Sequence, residues 1–216
     1  MAKKILIVLV AVVVAFLGFV MTRPAEFHLE RSATIAASPA VVFPFVNNHR
    51  NFILWSPWEK RDPSQKTTFT GPDEGVGSAY GWVGNDDVGQ GSMKILESKP
   101  NELVKEDLTF IKPFEAKNII TYTLVPEAEG TKITWGMDGT NGFAGKMFSV
   151  FMDMDSMVGK DFDEGLAKLK TLAEAKAKEA PPVPVGTEPT GAAAVDGGPA
   201  PATEVPVAPP IPPPPG

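Results

Sequence analysis

Between Thr67 and Gly139 the chain is cut into six short alternating or β-branched segments, and from about Phe143 to Ala180 the period changes to that of a helix. The six segments are TTFTG, SAYGWVG, GQGSMKILES, ELVKEDLTFI, KNIITYTLVPE and TKITWGMDG. Gly, Pro, Asp and Asn clusters (GPDEGVG, GNDD, KPNE, KPFEA, PEAEG) separate them. Connections this short can join neighbouring strands only as hairpins, so the segments predict an antiparallel meander. After it, Met147, Phe151, Met154, Val158, Phe162, Leu166, Leu169 and Leu172/Ala173 recur at three- and four-residue steps with no proline before Pro181, which predicts one long helix.

Upstream, Phe27 to Ala36 alternates as a strand, and Ser38-Pro39 is a helix-start signal: a capping hydroxyl followed by proline at the first helical position. A short helix over AVVFPFVNN should be interrupted at Pro44, and a second, within NFILWSPW, should end at Ser56-Pro57. The order is therefore strand, two short helices, six strands, long helix. One face of the sheet must be covered, and the C-terminal helix is the element long enough to cover it. The expected class is α+β: a curved antiparallel sheet of about seven strands wrapped round that helix, a helix-grip arrangement that leaves a cavity between the two.

Both ends differ in composition from this middle. Ile5 to Met21 is an apolar run behind Lys3 and Lys4. As a helix it spans about 25 Å, the short end of what crosses a bilayer core. A cleaved signal peptide is the rival reading, but the run exceeds the usual hydrophobic region and ends FVMTRP, without a small-x-small site. An uncleaved single-pass anchor is expected, with the N-terminus cytoplasmic because Lys3 and Lys4 outweigh Arg23, and with the domain periplasmic or extracytoplasmic. From Pro181, 13 of 36 residues are proline and none is aromatic, so residues 181–216 are expected to be a disordered spacer. Docking of its proline tracts on an aromatic groove of a protein partner is the alternative. The expected organisation is an anchor (1–24), one domain (25–180) and a tail (181–216).

Inventory excludes much chemistry. The chain has no cysteine and two histidines, His28 and His49, which removes thiolate nucleophiles and thiol or multi-histidine metal sites. The domain carries most of the acidity of a chain with net charge −6, which disfavours a nucleic-acid partner. Neither a metal, another cofactor nor a catalytic residue is assigned, and a monomer is expected. Asp153, Asp155, Asp161, Asp163 and Glu164 lack the spacing of a calcium loop and read as a solvated helix face. The run Gly75-x-Gly77-x-x-x-Gly81 precedes a strand and reads as turn chemistry.

Alternation then assigns an interior face. Val104, Glu106, Leu108 and Phe110 share one side, as do Ile120, Tyr122 and Leu124, and Ile133, Trp135 and Met137. Tyr80 and Trp82 form another such set, and Met93 pairs with Ile95. The candidate pocket residues are Trp55, Trp58, Tyr80, Trp82, Met93, Glu106, Leu108, Phe110, Tyr122 and Trp135, with Met147, Phe151, Met154 and Val158 from the helix. Aromatic and thioether groups suit flat or chain-like apolar ligands, and they equally suit a filled core. Glu106, the charged residue on an apolar face, is a ligand-orienting group or base, or its register is shifted by a bulge, or it sits solvated near the cavity mouth. Gly159 and Gly165 weaken the helix and imply close packing or room for a ligand.

The chain resembles the START/birch-allergen-like (SRPBCC) superfamily, and within it the membrane-anchored bacterial polyketide cyclase/dehydrase proteins. The resemblance rests on the element order and on ASPAVVF (37–43), WSPWEKRDP (55–63), GVGSAYGW (75–82), Gly89-Gln90-Gly91 before Met93, FIKPF (110–114), TWGM (134–137) and MVGKDF (157–162). It implies a fold with a hydrophobic-ligand cavity, and it carries no catalytic signature onto these residues. The favoured expectation is a membrane-tethered module for a lipid, isoprenoid or polyketide-like molecule. The others are a cyclase-type enzyme, which needs a buried acid–base pair near Glu106 or Tyr122, and a protein-interaction domain with a filled core.

Overall fold

The computed structural model describes residues 2–151 and 154–179. The proline-rich tail and Asp153 lie outside the described residues. Helix α1 (Ala2–Met21) leads into strand β1 (Glu26–Ile35), then α2 (Pro39–Asn47), α3 (His49–Phe52) and a 3-10 turn over Trp58–Lys60. The meander follows as β2 (Lys66–Thr70), β3 (Ala79–Val83), β4 (Gln90–Lys99), β5 (Leu103–Lys112), β6 (Ala116–Glu127) and β7 (Gly130–Thr140). Helices α4 (Phe143–Phe151) and α5 (Met154–Glu179) complete it.

All neighbours pair antiparallel in the order β1-β7-β6-β5-β4-β3-β2. Consecutive hairpins carry the sheet from β2 to β7, and β1 closes beside β7, with Glu26 opposite Thr140. The pleat sends the expected sets inward: Val104, Ile120, Tyr122, Leu124, Ile133 and Trp135 are all buried. Against them α5 sets Phe162, Leu166, Leu169 and Ala173, spaced along one helix face. Burying four such side chains contributes several kcal/mol, at roughly 1.5–3 kcal/mol for each large aliphatic or aromatic group. The result is a seven-stranded helix-grip fold.

Three local expectations need correction. Helix α2 runs through Pro44, because Val42, Phe43, Phe45 and Val46 are buried on either side of the lost backbone bond and hold the turn. Ser38 stands at the N-cap with extended backbone, yet its hydroxyl makes no capping bond; its carbonyl instead accepts from the Val41 and Val42 amides. The single long helix is two. Phe151 of α4 faces Phe16 of α1, with ring centroids 5.9 Å apart, whereas the stripe of α5 faces the sheet. One straight rod cannot meet both surfaces, although the apolar spacing runs on unchanged.

The glycine run is a turn, with Gly75 and Gly77 at φ +76° and +92°, a region open to glycine at little cost. The helix glycines reflect close packing. A side chain at Gly159 would strike the Arg31 guanidinium, and one at Gly165 would come within 2.9 Å of Trp135.

Candidate functional site

The two ends of the sheet are filled differently. At the end that carries the β4–β5 and β6–β7 hairpins, α2 wedges between sheet and α5. At the other, a cavity of about 510 Å³ remains. Trp58, Tyr80, Trp82, Met93, Leu108, Phe110, Trp135 and Val158 line it, eight of the residues expected from the sequence. Their strands explain the placement: β3, β4 and β5 each point one alternate pair or single side chain at the same volume. Gly91 sits directly opposite Trp82, and a β-carbon there would stand 2.5 Å from the indole ring, so glycine lets that ring lie along the wall. The indole Nε1 donates to the Val88 carbonyl at 2.9 Å and fixes the ring.

Five expected residues do not line the cavity. Trp55 is wedged edge-on against Phe52 and Trp135, and its Nε1 donates to the Phe45 carbonyl at 2.9 Å. Tyr122 is fully buried in the same aromatic block. Glu106 is buried behind the wall rather than in it, beside His49, whose ring stacks on Tyr80 at 6.1 Å between centroids. Met147 and Phe151 lie on α4, which turns toward α1; Phe151 is 73% exposed. Met154 opens α5, and the role expected of its side chain lies outside what is described.

Other lining groups were not expected. Ile120 and Met137 follow from the same alternation that placed Tyr122 and Trp135. Asn118 follows from it too, two residues before Ile120 on β6, whereas Glu59 and Gln65 carry no periodic signal because they sit between α3 and β2. Glu59 and Gln65 join Tyr80 in a hydrogen-bonded polar spot, and Ser56, Asp87, Glu115, Asn118, Asn141 and Asp161 also lie on the lining. The Tyr80 hydroxyl donates to Glu59 Oε1 at 2.9 Å, Gln65 Nε2 donates to the same oxygen at 2.8 Å, and Gln65 Nε2 lies 3.3 Å from the Tyr80 oxygen. Burial first, then the facing Glu59, holds the Tyr80 phenol well above its ordinary range, so it is a hydrogen-bond donor at any working pH. Behind them Asp62 anchors the loop, accepting from the Ser64 hydroxyl at 2.6 Å and the Asn85 amide at 2.8 Å, which lowers its pKa.

Beneath the wall lies a second polar group. Ser78 Oγ is 3.1 Å from His49 Nδ1, and His49 Nε2 is 3.3 Å from Glu106 Oε1, too poorly aligned for a hydrogen bond. Glu106 Oε2 and the Tyr122 hydroxyl find no hydrogen-bond partner among the described residues. Burial and then the nearby Glu106 raise the Tyr122 pKa. These residues are separated by decades of sequence, and only the hairpins bring them together. His28, by contrast, is exposed; its hydrogen bonds to Asp138 and then Glu30 raise its pKa. Among the described residues, no three His, Asp or Glu side chains converge as a metal site.

The acidic face of α5 is neutralised rather than free. Asp155 receives both Arg31 guanidinium nitrogens at 3.0 Å, Asp163 lies 3.5 Å from the same group, Asp161 pairs with Arg61, and Glu164 with Lys60 at 2.8 Å. Those pairs hold the N-terminal half of the helix over the cavity.

The fold recurs in solved structures at low sequence identity. A Staphylococcus aureus protein of unknown function superposes with a TM-score of 0.52 at 14% identity, covering 71% of this chain and 96% of its own. A Mesorhizobium loti protein gives 0.51 at 15%, covering 69% and 98%. A Chromobacterium violaceum protein gives 0.50 at 17%, covering 70% and 99%. Comparison with curated proteins finds no match. The family described as polyketide cyclase/dehydrase and lipid transport matches residues 26–174, from the first strand to the last turns of α5. This match spans the sheet, the cavity and the gripping helix, and the chain belongs to that family.

Proposed function

We propose that the chain is a membrane-tethered binding module that holds a hydrophobic small molecule, a lipid, isoprenoid or polyketide-like compound, in the cavity between sheet and α5. The observation that carries this reading is the cavity itself: about 510 Å³, within the range of small-molecule sites, with aromatic and thioether groups over much of its wall and a hydrogen-bonded polar spot at Glu59. Glu59 accepts from two donors there, so a ligand ending in a neutral hydroxyl or amide fits better than a carboxylate, which the Glu59 oxygens would repel.

Helix α1 supports the tether. It is long and apolar enough to span a bilayer, and Ile5, Leu9, Val12 and Phe19 are each more than half exposed. Such a surface needs lipid around it. Under this reading the helix is an uncleaved anchor and the domain lies outside the cytoplasm. The proline-rich tail acts as a spacer, and the module works as a monomer.

The test is native mass spectrometry of the full chain, released gently from cells in detergent, followed by extraction of the bound fraction. A stoichiometric hydrophobic molecule is expected, and Leu108→Trp, which fills the cavity, should lose it. A clean apo mass for the unsubstituted chain, with no uptake from a membrane extract, overturns the reading. A cyclase-type activity draws support from one feature, the buried His49–Glu106 pair. That pair lies behind the wall, however, where a ligand in the cavity does not touch it.

A further inference from the structure

The anchor and the cavity meet at the same end of the sheet. Glu26, the first residue of β1, pairs with Thr140, the last of β7. Along that edge follow the start of β6 and the turn before it, since Asn118 pairs with Gly139 and Ala116 with Phe110. The cavity's lining includes Pro113 and Phe114 of this turn and Gly142 and Gly145 at the start of α4, so its mouth opens here. Around the mouth large apolar side chains are exposed, Phe114 at 65%, Phe143 49%, Ile111 48% and Phe151 73%, with Lys112, Glu115 and Lys117 exposed beside Phe114.

Depth along α1 identifies what covers them. The apolar run of that helix ends at Met21, and Phe16 lies five residues earlier, about 7–8 Å back along the axis. Phe151 packs on Phe16. Lys146, on the same short helix, reaches the Met21 carbonyl with its Nζ at 3.4 Å, as a lysine does when its stem lies in the interface and its head seeks the polar boundary. If α1 spans the bilayer, α4 lies at the depth where interfacial helices rest, with the headgroups on one side and acyl chains on the other.

We propose that α4 and the β5–β6 turn sit in the bilayer interface, so that the cavity mouth opens onto acyl chains and the ligand passes between cavity and membrane without crossing water. This rests on the anchor reading of α1. The geometry explains why an apolar mouth is tolerated in a chain whose remaining surface is acidic: lipid buries it.

The chain contains no cysteine, so single-cysteine variants report one site each. The full chain carrying Phe114→Cys, labelled with an environment-sensitive fluorophore, is reconstituted into phosphatidylethanolamine/phosphatidylglycerol vesicles containing a lipid spin-labelled near the top of its acyl chain. Leu17→Cys in α1 and Glu129→Cys, in the hairpin at the far end of the sheet, serve as references. The label at 114 should shift to the blue and lose most of its emission to the spin label, as at 17, while that at 129 stays unquenched. Quenching at 17 without quenching at 114 overturns the proposal and leaves the anchor standing. A blue-shifted label at 114 that ignores the spin label reports protein cover and also overturns it. Quenching at neither 17 nor 114 removes the anchor and the proposal together. Circular dichroism of each variant against the unsubstituted chain confirms that the fold is intact.

Discussion

The closed and open ends of the same sheet are built from the same kinds of residue in the same alternation, yet one is solid and the other hollow. At the closed end α2 adds a third layer: Val42, Phe45 and Val46 are buried between the sheet and Leu169 and Ala173 of α5. At the open end no such wedge exists, and Val158, Asp161 and Phe162 face Tyr80, Trp82 and Met93 across empty volume. The fastening of α5 changes accordingly, from packed aliphatic groups in its C-terminal half to Arg31, Arg61 and Lys60 ion pairs in its N-terminal half. An alternating pattern therefore specifies an interior face and leaves open whether that interior is filled. The filling is decided by which elements lie between the layers.

The largest test of this contrast is a pair of truncations. Leu169→Ala removes a fully buried side chain from the closed end and should lose about 3 kcal/mol of stability, within the usual 2–5 for such sites. Met93→Ala, at a wall already facing empty volume, should lose about 1 kcal/mol, since little new cavity is created. Chemical denaturation midpoints at equal m-values would measure both. Equal losses would mean that the open end is as tightly packed as the closed one.

Much of this architecture is legible in the residues. All seven strands, and the inward face of β3 to β7, follow from period two, and Ile120, Tyr122, Ile133 and Trp135 are buried as alternation requires. Three things are not legible, each for a physical reason. The break between α4 and α5 preserves the apolar spacing, so period alone cannot reveal that two helices face different partners. Glu59 and Gln65 lie in irregular backbone, where side-chain direction has no period. The approach of Ser78, His49 and Glu106 depends on strand register and on where α3 settles, and sequence distance conceals both. Glu106 shows the limit well: its inward direction is readable, while its place behind the wall rather than in it is not.

The two interior tyrosines sharpen the comparison at an intermediate magnitude. Tyr80, at the open end, has its hydroxyl bonded to Glu59; Tyr122, in the closed core, has a buried hydroxyl without a hydrogen-bond partner among the described residues. Tyr80→Phe should cost about 1 kcal/mol through the lost bond, whereas Tyr122→Phe should be neutral or gain about 1 kcal/mol by removing an unsatisfied polar group. Alkaline titration separates them further. Burial raises both phenols above the ordinary tyrosine value of about 10. Below pH 10 both states keep the proton and stability is full. Above it the unfolded chain releases protons that the folded chain retains, so stability falls, and each Phe variant should flatten that fall by its own share. A loss on Tyr122→Phe comparable to that of Tyr80→Phe would show that the closed core satisfies its hydroxyl after all.

The smallest effect concerns the helix fastening. Arg31 is partly exposed, and its bidentate bond to Asp155 with a further contact to Asp163 is the strongest of the α5 ion pairs by geometry. Because these carboxylates are largely exposed, Arg31→Met should move the global denaturation midpoint only slightly, and less still in high salt. Locally the consequence should be greater. The first turns of α5 have few buried apolar contacts, so their amides should exchange faster in the variant, while those around Leu166 and Leu169 keep their protection. Uniform acceleration along the helix would mean that α5 opens as one unit and that the ion pairs carry no separate role. Confined acceleration would mean that the half of α5 above the cavity can loosen without unfolding the closed end, giving a bulky ligand its room to enter.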